Sequence, residues 1–175
     1  MNACARRTTR VIAALLALPL LSGVGLKRAA ARSAPKSAAA AHADLTGEWW
    51  LDVARSQFGG SAHTPKSRTD RIVHRDPELL VRSLTVRPAG DSLALEYRYR
   101  TNGESTNKVM GQDVRTAGKW DGAALALSSH ATMLMMDLSV AERWSVSADG
   151  RTLTEVRASK GPTGEVKQTL VFQKH

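Results

Sequence analysis

The residue with most chemical potential is Glu142, because it shares an alternating face with Leu134, Met136, Leu138, Val140 and Trp144. A carboxylate held among apolar neighbours has its pKa raised and can carry a proton, unless a bulge turns it outward or an Arg pairs with it. Tyr97 and Tyr99 place two hydroxyls on the face they share with Leu93 and Leu95. Those hydroxyls either orient a ligand or belong to core side chains that reach backbone or solvent. Met133, Met135 and Met136 form a soft cluster, but the first two face away from the third, so they do not converge as copper requires. His63, His74, His130 and His175 are scattered without ligand spacing, and no Ser occupies a Gly-x-Ser-x-Gly setting. The only cysteine, Cys4, precedes the first apolar run, so the chain beyond it has no thiol for catalysis, disulfides or metal. No catalytic set, metal site or cofactor is expected.

These residues lie on short runs of period-2 alternation separated by turn signals, the pattern of an antiparallel all-β domain. Asp149-Gly150 lies between two such runs and supplies the positive φ of a tight hairpin. The first strand is expected at 45–53. Others follow near 70–74, 80–87, 92–100, 106–110, 114–120, 124–130, 133–146, 152–158 and 165–173. Residues 54–68, polar and broken by Gly59-Gly60 and Pro65, read as a long loop. About ten strands are enough to close a single up-and-down barrel and remove exposed edges.

The net charge of +9 and a sequence pI near 10.3 would ordinarily suggest an anionic partner. Residues 1–43, however, carry seven of the 25 Lys and Arg and no Asp or Glu, which leaves 18 basic against 16 acidic residues from Asp44 onward. With alternating signs and no basic stripe, that part is not expected to bind nucleic acid. The basic stretch through Arg10, the apolar run 11–21 and the small residues after it read as a signal peptide over 1–31, followed by a disordered Ala- and Ser-rich linker at 32–43. The barrel then spans 44–175. The apolar run is too short to span a bilayer comfortably, so no stable membrane span is expected after cleavage, and the destination is the periplasm or the medium.

Gly47-Glu48-Trp49, Trp120-Asp121-Gly122, the hairpin around Asp149-Gly150 and the closing run Thr169-Leu170-Val171-Phe172 resemble the calycin barrels. Within that group, the order and spacing of the last five strands are most similar to the fatty-acid-binding proteins. The whole is similar to exported lipocalin-like domains of bacterial proteins. The resemblance implies a small-molecule binder without catalysis, holding an apolar or amphipathic, lipid-like ligand inside. Two departures qualify it. The inward Arg-x-Tyr pair that grips the carboxylate in fatty-acid-binding proteins corresponds here to Leu170 and Phe172, and the loop 54–68 replaces their helical lid. A ligand would then be held mainly by apolar contact. Parity assigns Leu95, Tyr97, Tyr99, Met136, Leu138, Val140, Glu142, Trp144, Leu170 and Phe172 to the interior. Trp49 plugs the base and meets a cation, with Arg143 as one partner. The alternatives are a solid-cored barrel that acts through protein contacts, or an isomerase or hydrolase that uses Glu142.

Overall fold

The computed structural model describes residues 42–60, 64–133 and 135–175. The signal-peptide reading of 1–31, the linker reading up to residue 41, and the readings of Leu134 and His63 lie outside them. Ten strands follow one another: β1 (Gly47–Leu51), β2 (Ser67–Arg75), β3 (Glu78–Val86), β4 (Ser92–Arg100), β5 (Gly103–Val109), β6 (Gln112–Asp121), β7 (Ala124–Met133), β8 (Met136–Val146), β9 (Thr152–Gly161) and β10 (Gly164–Lys174). All pairings are antiparallel between chain neighbours, except that β1 also pairs with β10. The expected up-and-down barrel is therefore present, with β4 and β5 as the two ends of its single sheet.

No ladder joins β4 to β5 among the described residues. The Asn107 side chain bridges the ends instead. Its Oδ1 accepts from the Arg98 amide at 2.6 Å, and its Nδ2 donates to the Arg98 carbonyl at 3.1 Å. One side-chain amide thus replaces a rung of the sheet and satisfies backbone groups at an otherwise open edge. At the end of β4 the chain crosses close over β6, where a Cβ on Gly118 would lie 2.0 Å from the Arg100 carbonyl oxygen, so only glycine fits.

One end of the barrel is packed solid. Leu45, Trp49, Ile72, Leu125, Trp144, Leu153 and Phe172 are all buried there, and Trp49 Nε1 donates to the Leu45 carbonyl at 2.8 Å. The cation over Trp49 is Lys174, 5.2 Å from the ring centroid, and not Arg143. Arg143 faces outward, where it pairs with Asp121. Beside this base, Asp76 accepts hydrogen bonds from Thr101 Oγ1 and Trp120 Nε1 and bonds to the rings of His42 and His74. Thr101 and His42 contribute most to holding its carboxyl well below the usual range. His42 also stacks on Trp120 with centroids 4.4 Å apart, so ordered packing starts just ahead of β1.

Most strand ends shift by one to three residues from the sequence expectation, and three of the differences matter most. β2 begins at Ser67, because Arg68 turns inward to the Asp70 carboxylate. β5 begins at Gly103, ahead of the expected 106. The run expected as one strand over 133–146 contains a hairpin. Met133 pairs with Met136, Met135 takes φ 63°, and Thr132 Oγ1 donates to Asp137 across the turn. No Gly, Asn or Pro marks this turn, so the alternating pattern conceals it. Among the described residues, the segment after β1 contains no helix, and it runs along β10. Gln57 and Thr169 exchange backbone hydrogen bonds of 2.7 and 2.8 Å, and Phe58 packs against the core.

Replacing Asn107 with Leu removes both bonds that join β4 to β5. We expect a loss of about 2 kcal/mol in urea unfolding and faster hydrogen exchange at the Arg98 amide than at amides of β8.

Candidate functional site

The strand register determines the site. Trp49, Asp70, Ser83 and Leu95 align as one row across β1 to β4, while Glu142 stands opposite Arg157, and Glu155 stands between Trp144 and Leu170. Because side chains alternate, these rows point inward and carry five charged groups with them. Arg68 Nε and Nη2 donate to the two oxygens of Asp70 at 3.0 and 2.7 Å, and Nε also reaches Ser83 Oγ at 3.1 Å. Arg157 Nε donates to Glu142 Oε1 at 2.6 Å, and Trp144 Nε1 donates to Oε2 at 3.2 Å. Glu142 therefore stays inside without a bulge because an arginine is its direct cross-strand partner.

Glu155 is the exception. Its side chain is fully buried, neither oxygen has a hydrogen-bond partner, and the nearest cation atom, Arg68 Nη1, is 3.9 Å away. Burial pushes its carboxyl up to about 7, with the Arg68 charge opposing the shift and Asp70 and Glu142 adding to it. Burial works against the charge on Arg68, but Asp70 and then Glu155 outweigh it and hold the guanidinium firmly protonated. Glu142 does the same for Arg157. Burial raises the phenols of both tyrosines, most strongly that of Tyr99, and the Glu142 charge adds to the rise.

Between this charged belt and the hairpins β5–β6 and β7–β8 lies a cavity of about 210 Å³. Its wall is apolar at Val109, Val114, Ala131, Leu138 and Val140, and polar at Tyr97, Tyr99, Asn107, Thr116, Ser129, Glu142 and Arg157, with His130 at its edge. The tyrosine rings stack at 5.6 Å and 8°, and Tyr99 meets Trp144 edge-on. Thr116 and Ser129 hydroxyls bond to each other at 2.9 Å.

Of the ten side chains assigned to the interior, Tyr97, Tyr99, Leu138, Val140 and Glu142 meet on this wall. Trp144, Leu170 and Phe172 are buried in the packed core, and Leu95 is half-buried away from the cavity. Met136 is 42% exposed, a consequence of its place beside the hairpin turn. Arg68, Asp70, Glu155 and Arg157 were not singled out from the sequence. The available signal was parity: Leu153, Glu155 and Arg157 share the inward face of β9, as Arg68, Asp70 and Ile72 share that of β2. Among the described residues, no three His, Cys, Asp or Glu side chains gather to hold a metal, and no helix is long and apolar enough to cross a membrane.

No protein-family model and no curated protein matches the chain. Solved structures do. A secretory abundant heat soluble (SAHS) protein from Ramazzottius varieornatus aligns with TM-score 0.55 at 14% identity, over 79% of this chain and 100% of its own. The wild-type fluorescent protein UnaG aligns with TM-score 0.51 at 12% identity, over 75% of this chain and 97% of its own. The fold is that of the calycin-like barrels. A zebrafish ileal bile acid-binding protein, solved with cholic acid, also matches at TM-score 0.49 and 12% identity, over 74% of this chain and 98% of its own. What sets this calycin-like barrel apart from the apolar interior expected of it is the belt of paired charges at mid-height.

Two outcomes follow from the belt. Native Glu155 keeps a proton that the unfolded chain, titrating near 4.5, releases, so this group lowers stability as pH rises from about 4.5 through 7. Thermal unfolding should therefore show Glu155→Gln gaining on the parent from pH 5 to pH 8. Acid loss of Asp76 stabilisation falls in a separate window below the ordinary Asp range. Glu142→Gln orphans Arg157 and should cost about 2–4 kcal/mol, somewhat less than breaking a fully enclosed pair. Adding Arg157→Met should recover most of it in chemical denaturation.

Proposed function

We propose that this barrel is an exported, non-catalytic binder of a small amphipathic molecule, held in its interior. The observation that carries the reading is the cavity of about 210 Å³ above a solid base, lined by aliphatic side chains on one part and by hydroxyl, amide and charged groups on another. Such a wall fits a ligand with an apolar body and a polar head. Size narrows the class, because an apolar cavity of about 150 Å³ accepts benzene. A single ring with a short arm, or the polar end of a longer amphipathic molecule, fits this volume. Export rests on the basic start, the apolar run 11–21 and the small residues that follow it. Periplasm or external medium is the destination that this pattern supports.

The ion pairs of the belt are occupied with one another, and the hydroxyl that bonds to an imidazole among the described residues, Ser128 Oγ, lies at a long 3.5 Å from His130 Nε2 in an exposed position. Binding therefore accounts for the site more fully than proton transfer at Glu142 does. The interior is also not completely filled, which favours a ligand over the solid-cored alternative.

Native mass spectrometry of the chain purified without detergent, followed by organic extraction, should release a bound amphipathic molecule. Val140→Trp fills the cavity and should reduce uptake at least tenfold while leaving the circular dichroism of the barrel intact. Undiminished uptake by this folded variant would place the ligand elsewhere.

A further inference from the structure

We infer that the interior cavity takes an organic cation, a ring carrying an ammonium head, and rejects the isosteric carboxylate. The inference deepens the proposed binding function and rests on it. The first observation is that both guanidiniums of the belt already hold a carboxylate. Among the described residues of the belt, Arg68 is held bidentately by Asp70, and Arg157 is taken by Glu142. A ligand carboxylate would have to displace one of these carboxylates and leave it buried without a partner.

The second observation is an excess of acceptors. Three inward carboxylates face two guanidiniums, and both oxygens of the fully buried Glu155 lack a hydrogen-bond donor. Glu155 stands behind the cavity wall, so its surplus negative charge acts on a guest through space and not by a hydrogen bond, favouring a positive over a negative guest. Glu142 and its partner Arg157 both lie on the cavity wall as a neutral pair, and Glu155 is close enough to both to add its charge to the field there. The third observation is the stacked pair Tyr97 and Tyr99 on the same wall. Their faces attract an ammonium through the ring quadrupole and also pack against the ligand ring.

Titration supports the same polarity. The charged and titratable groups around Glu155 are Arg68 and Asp70 from β2, Glu142 from β8, Arg157 from its own strand and Tyr99 from β4, while β10 presents the apolar Leu170. As Glu155 ionises, the belt passes from balanced to one net negative charge, so affinity for a cation should rise through neutral pH.

The test uses three ligands of one skeleton: phenethylamine, 2-phenylethanol and phenylacetate. Calorimetry on the full chain at pH 8 should show the amine binding at least tenfold more tightly than phenylacetate, with the alcohol between them. The amine's advantage should shrink at pH 6. Glu155→Gln, a neutral replacement that leaves both ion pairs in place, should bring the amine towards the alcohol without weakening the alcohol. Equal binding of all three, or tighter binding of phenylacetate, overturns the cation assignment and leaves the cavity as a binding site. Binding of none overturns both readings.

Discussion

A charge inside a narrow barrel must find a partner, and five charged side chains sit inside this one. Two guanidiniums and three carboxylates occupy its mid-height, largely shielded from water, where an orphaned ion would cost several kcal/mol. Arg68 meets Asp70 along β2, and Arg157 meets Glu142 across β9 and β8. A one-residue slip of any of these strands would move its partner to the outer face, so the ion pairs determine register as firmly as the apolar base does. Such pairs are seldom better for stability than well-packed aliphatic residues.

The two ends of the barrel have different roles as a result. Below the belt, Trp49, Trp144, Leu153 and Phe172 fill the space completely, with Lys174 over Trp49 and Asp76 collecting donors from three elements. Above it, hydroxyls, tyrosine rings and a few aliphatic side chains leave a volume unfilled. The segment after β1 contributes at the second end through hydrogen bonds to β10. There Gly59 packs so tightly that a Cβ would lie 1.7 Å from the Lys167 carbonyl oxygen. Asn107 acts in place of a ladder at the seam between β4 and β5, where β4 also packs closely over β6 at Gly118.

Much of the architecture follows from local physics. Period-2 patterns along β4, β6 and β9, and Asp-Gly steps at the hairpins, determine an antiparallel up-and-down chain before any long-range contact is known. Parity alone places Tyr97, Tyr99, Leu138, Val140 and Glu142 inside. The Met133 to Met136 hairpin escapes the same logic because its residues carry no turn chemistry. The inward course of Arg68 escapes as well, since an arginine beside a polar loop looks solvated until Asp70 and Ser83 stand next to it.

The sequence by itself determined the fold class, the strand count and the inward parity of Glu142, because alternation is a property of neighbouring residues along one strand. Only the tertiary structure decided that Glu142 would face Arg157, that Lys174 and not Arg143 would cover Trp49, and that Glu155 would be left without a donor. Each of these depends on which strands lie side by side and in what register. That pairing brings together residues 15 to 125 positions apart, a distance at which local pattern carries no information.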